Sequence, residues 1–373
     1  MVTRFSPTSR RGCAPAARPG MSRAIATLRT LVPGTAEPGW RELCDALADV
    51  LDGSSANGRP IELDRLKSRV YRLRAGENGT VRSLVVKRYD PWLARRNELV
   101  LRRWLPALDL SDRAPRLLAT AVERGGAWAW HVYEDLAGDP LDPQDPDPLQ
   151  VEAVVDVIAT LHTRAAGHAV VPQCRHFCGS LGAGFFAANV RDAIAVLEAL
   201  APPRIEPTPA QGELRGRLLD RLYRLRGEIG ARTALLEAWG GPDTLLHGDL
   251  WTTNALVHSD QARGTRVARL IDWDHAAVGP ATYDLSTFLY RFPKAERPWI
   301  LEMYARALRR AGWRLPSVRE LNAMFETAEY ARYASRIIWP AVALLEERAA
   351  WGFDQLAEVE RWFDALELVL PEP

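Results

Sequence analysis

Three oxygen-bearing side chains stand at spacings that chemistry could use. In Leu246-His247-Gly248-Asp249-Leu250-Trp251-Thr252-Thr253-Asn254 a carboxylate precedes a carboxamide by five residues, and Ile271-Asp272-Trp273-Asp274 follows one short hairpin later. Phosphoryl transfer needs such a set: one carboxylate accepts the proton of an attacking hydroxyl, while a second carboxylate and an amide oxygen grip the magnesium on a nucleoside triphosphate. Asp249 is the candidate base. Asn254 and Asp272 are the candidate metal ligands, because magnesium takes hard oxygen donors and keeps few protein ones. Asp and Asn also make ordinary turns, so neither carries much weight alone. The joint pattern HGDxxxxN, then a hairpin, then an Asp after an apolar strand is far more specific. His247 reads as a brace for the loop backbone.

These residues need elements to place them. Residues from Thr244 to Asp274 read as strand, loop, strand, turn, strand; a turn near Gly264 returns Val267-Ala268-Arg269-Leu270-Ile271 beside Ala255-Leu256-Val257 and brings Asp272 back to Asn254. Upstream, Pro38-Gly39 introduces a helix that runs through Leu51 and is closed by turn chemistry between Gly53 and Gly58. Ser68-Arg69-Val70-Tyr71-Arg72-Leu73-Arg74 alternates polar with apolar residues, Asn78-Gly79 signals a hairpin, and Val81 to Tyr89 forms its second strand. Asp90-Pro91 opens a helix carrying Val100/Trp104 and Leu101/Leu105 at helical spacing, and Ala127 to Leu136 reads as a further strand. The Pro/Asp-rich stretch from Gly138 to Pro148 cannot form a regular element and sets the domain boundary. Beyond it, Val151 to Thr163 and Leu214 to Trp239 are helices, and everything from Tyr283 onwards looks helical. The expected organisation is therefore a disordered Arg-, Pro- and Ser-rich tail over residues 1–37, a β-rich lobe over 38–137 and a larger helical lobe over 138–373. Met21 offers an alternative start.

Lys87 follows Leu84-Val85-Val86 on an expected strand, an apolar setting that a lysine avoids unless an anion awaits it. A nucleotide phosphate is the obvious anion, and Glu98 on the following helix could pair with the lysine. Arg95, Arg96 and Arg102 are the alternative partners for Glu98.

Bulk properties are those of an ordinary globular protein: 47% hydrophobic and 25% charged residues, with a formal net charge of +1. That balance gives no electrostatic reason to expect nucleic acid. No apolar run nears the roughly 18 residues of a membrane span, and the basic N-terminus lacks the apolar stretch of a secretory signal. Four scattered cysteines make no disulfide framework and suit reduced thiols in the cytoplasm. Cys174, His176 and Cys178 lack a matching second pair for zinc. Gly182-Ala183-Gly184-Phe185-Phe186-Ala187 matches a dinucleotide fingerprint without the strand that should precede it, and no P-loop motif exists.

Together these motifs resemble the aminoglycoside phosphotransferase and choline kinase family. The matching residues are Val85-Val86-Lys87, Tyr133-Glu134-Asp135-Leu136, Ala159-Thr160-Leu161-His162, His247-Gly248-Asp249 with Asn254, Ile271-Asp272-Trp273-Asp274, and Gly279-Pro280-Ala281-Thr282-Tyr283-Asp284-Leu285-Ser286. The resemblance implies an α+β, protein-kinase-like two-lobe fold, with a small β-rich N-lobe and a larger helical C-lobe. It implies ATP as phosphoryl donor, with GTP left open, and Mg2+. Tyr133, Glu134 and Asp135 would then lie at the hinge that holds the base, and Asp284 would tie down the catalytic loop. One departure stands out: the phosphate-covering segment Leu66-Lys67-Ser68-Arg69 has no glycine, so Ser68 would donate instead.

The acceptor is expected to be a hydroxylated small molecule, with an antibiotic leading and a metabolic acceptor (a sugar, an amino alcohol such as choline, or a hydroxy amino acid) second. Residues 341–373 hold eight acids against Arg348 and Arg361, which could receive a cationic drug. Trp251, Asp274, Tyr330, Tyr333 and Trp339 are the candidate acceptor contacts. A scaffold without activity on the same fold is disfavoured, because Asp249, Asn254, Asp272 and Lys87 are all present.

Overall fold

The computed structural model describes residues 37–51, 61–77, 80–260 and 264–371. The expected tail lies outside them except for Glu37, as do the expected turns at 53–58 and at Asn78-Gly79. The chain divides into two compact units, one holding the residues up to Ala94 with Leu117–Asp135, the other Arg95–Arg116 with Leu136–Pro373.

The first unit is a five-stranded antiparallel sheet flanked by one helix. Helix α1 (Trp40–Leu51) buries Trp40, Leu43, Cys44, Leu47 and Leu51, a helical stripe. The strands β1 (Ile61–Lys67), β2 (Val70–Glu77), β3 (Thr80–Tyr89), β4 (Leu117–Val122) and β5 (Ala129–Glu134) lie in the order β1-β2-β3-β5-β4. Alternate residues Tyr71, Leu73 and Ala75 on β2, and Leu84 and Val86 on β3, turn to the core with Trp130 and Val132. Trp40, Tyr71 and Trp130 form an aromatic cluster whose ring centroids lie 5.8 to 6.4 Å apart. Strand β4 carries no polar–apolar alternation, which is why periodicity does not reveal it. Helix α2 (Pro91–Leu99) continues through a wider turn at Val100–Trp104 into Leu105–Ala107.

The second unit is mainly helical. Helix α3 (Pro148–Ala165) starts where the Asp147 side chain accepts the Leu149 amide at 2.9 Å and proline fills the first position. Helices α4 (Val171–Cys178) and α5 (Ala183–Ala199) follow. Helix α6 (Pro209–Trp239) begins at a capping box between Thr208 and Gln211, earlier than the apolar stripe from Leu214 suggests. Short strands pair around these helices: β6 (Asp139–Pro140), which precedes α3, with β8 (Ala255–Asp260), β8 with β9 (Thr265–Leu270), and β7 (Thr244–Leu246) with β10 (Ala277–Gly279). Four helices complete the chain: α7 (Thr282–Leu289), α8 (Arg297–Arg310), α9 (Val318–Glu347) and α10 (Gly352–Ala365). One apolar cluster gathers α3, α7, α8 and strands β7 to β10; another joins α5, α6, α9 and α10. Among the described residues, no helix is long and apolar enough to cross a membrane.

Candidate active site

Strand β7 leads directly into the HGD loop, and a single carboxylate pins that loop. Asp284, fully buried near the start of α7, accepts the His247 amide at 2.7 Å through Oδ2 and the Gly248 amide at 2.8 Å through Oδ1. His162 on α3 reaches the same Oδ2 with Nε2 at 3.3 Å, while its Nδ1 lies 2.8 Å from the Tyr304 hydroxyl. Burial alone would push the Asp284 carboxyl up, but the His162 hydrogen bond, the charges of His162 and His247 and the Gly248 amide outweigh it. Its pKa lies below the ordinary carboxylate value. The charged form is the one the loop amides need.

The loop has no room for another side chain. Gly248 takes a φ of +82°, and a Cβ there would lie 1.9 Å from the His275 carbonyl oxygen. Only glycine satisfies both conditions. His247 is a brace: its Nε2 donates to the Ile271 carbonyl at 2.9 Å and its ring lies tilted against Trp273 with centroids 4.6 Å apart, while its Nδ1 is buried without a partner. The same bond ties the HGD loop to the segment bearing Asp272.

Asn254 closes a 3₁₀ turn, Thr252–Asn254, and its Nδ2 donates to the Asp249 carbonyl at 2.9 Å. That bond commits the donor end of the carboxamide to the loop, so the oxygen end faces away from it. Ile271 donates its amide to the Asn254 carbonyl at 2.9 Å, extending the β8–β9 ladder by one step and setting Asp272 beside Asn254. Asp272 itself takes a left-handed backbone, φ +67° and ψ +60°. Such a conformation costs a non-glycine residue about 1–2 kcal/mol and concentrates at working sites. A hard oxygen from an amide and one from a carboxylate on adjacent chain segments fit a magnesium ion that takes its other ligands from phosphate and water. No group of three or more His, Cys, Asp or Glu side chains able to hold a metal occurs among the described residues, including around Cys174, His176 and Cys178. Burial pushes the Cys174 thiol up to about 12.

Trp251 donates its amide to the Asp249 carbonyl at 2.9 Å, and the Arg291 guanidinium lies 4.0 Å from the Trp251 ring centroid. Asp274 is held through its carboxylate by Asn97 at 3.0 Å and through its carbonyl by Arg96 at 2.8 Å. His275, though solvent-exposed, has its pKa lowered by the packing around it; Asp249, Asp274 and Asp272 oppose that shift and Arg336 adds to it. Tyr330 and Tyr333 turn to the helical core instead: Tyr330 stacks on Phe363 at 6.0 Å, and Tyr333 meets Phe363 at 5.2 Å and Trp362 at 5.9 Å. Trp339 is exposed and sits 6.4 Å from Trp351.

In the first unit, Lys87 on β3 pairs in register with Val70 and His131, and its Nζ lies 4.7 Å from the Tyr89 ring centroid. Tyr133 on β5 is buried, its hydroxyl 2.9 Å from both the Tyr89 hydroxyl and His131 Nδ1. Glu134 stands opposite Leu84. The Asp135 carboxylate binds Arg72 at 2.8 Å and Ser83 at 2.5 Å, so this side chain anchors the end of β5 to the sheet. Ser68 lies in the β1–β2 turn, where Arg65 donates to the Ser68 carbonyl at 3.1 Å and the Lys67 carbonyl at 3.3 Å. These bonds brace a turn that lacks glycine. Glu98 on α2 pairs with Arg95 at 3.1 Å and Arg102 at 3.8 Å.

Three residues at the candidate site carry no local sequence signal. His162 is visible only as part of a family motif, His275 only as a neighbour of Asp274, and Arg291 as one arginine among many. Each acquires its place through contacts from distant segments.

No curated protein matches the chain in sequence. Its fold is similar to that of macrolide 2'-phosphotransferase from Brachybacterium faecium, with 19% identity over 88% of this chain and 99% of that one and a TM-score of 0.55. Plasmodium vivax ethanolamine kinase is similar at 12% identity, covering 94% and 95% of the two chains with a TM-score of 0.59. Spectinomycin phosphotransferase bound to ADP and spectinomycin is similar at 12% identity, 87% and 94% coverage and a TM-score of 0.54. These likenesses establish the α+β, kinase-like two-lobe fold. The model of the phosphotransferase enzyme family matches residues 58–321, and the chain belongs to that family, a small-molecule kinase with a hydroxyl acceptor.

Proposed function

We propose that the chain transfers the γ-phosphoryl group of ATP to a hydroxyl of a small molecule, with Mg2+. Asp249 accepts the hydroxyl proton as the oxygen attacks phosphorus, and ADP leaves. Asn254 and Asp272 would hold the magnesium, which offsets phosphate charge when bound. Lys87 would meet the nucleotide phosphates, with Ser68 and the Tyr133 to Asp135 segment as the remaining nucleotide contacts and Glu98 in support. One observation carries this reading: Asp249, Asn254 and Asp272 lie on one loop and one hairpin cross-tied by His247, and Asp284 locks that loop in place. A cytoplasmic setting suits ATP as donor.

Two acceptor classes compete. An antibiotic has the support of fold neighbours named for macrolide and spectinomycin. The acidic C-terminal segment lends it little, because Glu360 pairs with Arg217, Asp364 with Arg221, and Glu367 with Arg297 and Lys294. A metabolic hydroxyl acceptor has the support of a fold neighbour named ethanolamine kinase, and Arg291 over Trp251 would repel a polycationic antibiotic such as an aminoglycoside. We take the metabolic acceptor as the better-supported class. An ATP-consumption screen with Mg2+ against hydroxylated antibiotics and metabolites tests the proposal. Acceptor-dependent ADP release that vanishes in Asp249→Ala is expected; release that survives the substitution removes Asp249 from its role. Raised drug tolerance in a sensitive host expressing the chain would restore the antibiotic class.

A further inference from the structure

Arg291, partly buried, differs from Arg232, Arg297 and Arg332 in the same unit. Arg232 binds Glu228 and Glu326, Arg297 binds Glu367, and Arg332 binds Glu329. Arg291 has no carboxylate within ion-pair range among the described residues, and its Nε is buried without a hydrogen-bond partner. Two acids act on it from beyond ion-pair range: Glu329, which is committed to Arg332, and more weakly Asp249. Burial, its largest influence, holds Arg291 below the ordinary arginine pKa, the mark of a cation short of counter-charge.

The position of this cation matters as much as its solitude. Its guanidinium lies over Trp251, which is half-exposed and hydrogen-bonded through its amide to the Asp249 carbonyl. A partly buried guanidinium whose Nε lacks a hydrogen bond gains when an anion arrives to meet it. Its planar donor fork matches a carboxylate or phosphate.

We propose that Arg291, seated on Trp251 beside Asp249, receives an anionic group of the acceptor, so that the substrate is a small hydroxyl-bearing organic acid. This rests on Asp249 acting as the base at that loop. The acid's hydroxyl addresses Asp249 while its carboxylate or phosphate addresses Arg291, and the indole of Trp251 supplies an apolar floor between them. A polycationic acceptor is disfavoured at the same place.

The test compares wild type with Arg291→Gln and Arg291→Lys against matched probes. Glycerate and 4-hydroxybutyrate are each paired with their amide, and glycerol 3-phosphate with glycerol; choline and kanamycin serve as cationic controls. A charge-assisted hydrogen bond corresponds to about ten- to a hundredfold in binding. At least one anionic probe should therefore exceed its uncharged partner in kcat/KM by that factor. Arg291→Gln should erase the preference by raising KM with kcat little changed, and Arg291→Lys should restore part of it. Preference among the carboxylates or for the phosphate ester identifies which anion is read. Equal use of acid and amide, use of cationic probes alone, or an Arg291→Gln loss spread evenly over all probes would overturn the inference, the last showing that Arg291 only stiffens Trp251. Basal ATP hydrolysis that depends on Asp249, with no anionic probe used, overturns the anionic acceptor alone. Absence of any Asp249-dependent ATP turnover overturns the phosphotransferase reading beneath it.

Discussion

Gly248 and His275 meet backbone to backbone: a Cβ on Gly248 would lie 1.9 Å from the His275 carbonyl oxygen. This contact draws the HGD loop against the turn that follows Asp272, so the candidate base and the candidate metal ligand share one rigid reference. Gly248→Ala must both leave its φ of +82° and push the turn away. We expect a loss of about 2–4 kcal/mol in stability, from backbone strain plus steric displacement, with activity lost beyond what unfolding explains. Thermal denaturation paired with ATP turnover below the variant's Tm checks this. An alanine variant with wild-type Tm and rate would show that the loop tolerates the shift.

Asp284 links that loop to the helical core, and its pKa lies below the ordinary carboxylate value. A depressed folded-state pKa contributes stability that is present above the unfolded value and lost as pH falls through the folded one. Wild-type stability should therefore decline on acidification below the usual carboxylate range. Asp284→Asn should remove that part of the acid dependence, and it should cost about 3–5 kcal/mol at neutral pH, as breaking a buried charge network does. Denaturant unfolding from neutral to acidic pH measures both effects. An unchanged acid profile in the variant contradicts the assignment.

The adjacent pair Asn254 and Asp272 should govern the magnesium requirement. Asp272→Asn and Asn254→Ala are each expected to lower ATP turnover by about two orders of magnitude at fixed Mg2+, the scale of losing one preorganised electrostatic contact. Part of the loss should be recovered at high Mg2+. A magnesium titration of turnover measures it, and curves that overlay the wild type for both variants would exclude the pair as ligands.

Much of this site was legible along the chain because its parts are local. The HGDxxxxN spacing, the apolar strand before Asp272 and the turn near Gly264 point to a hairpin that returns Asp272 to Asn254, and the observed ladder pairs Ala255 with Leu270 and ties Asn254 to Ile271. The two-lobe α+β fold followed from the same motifs and from the helical periodicity after Gly138. What stayed hidden depends on tertiary partners. Strand β4 has no alternation because its neighbours, rather than its own pattern, make it a strand. Tyr330 and Tyr333 share helical spacing with any pocket-lining pair, and only the presence of Phe363 and Trp362 on α10 shows where their rings go. Arg291 looks like every other arginine until Trp251 is found beneath it. Likewise the acidic C-terminal run looks unopposed until Arg217 and Arg221 on α6 are seen against it.

The most direct test of the account is the rate of phosphoryl transfer from Mg-ATP in Asp249→Asn, measured by coupled ADP release with the best acceptor found in the screen. General-base assistance contributes about 10²–10⁴ in rate. A fall in kcat of that size is expected, with the KM for ATP little changed and the fold intact. A folded Asp249→Asn protein that transfers phosphate at the wild-type rate would contradict it.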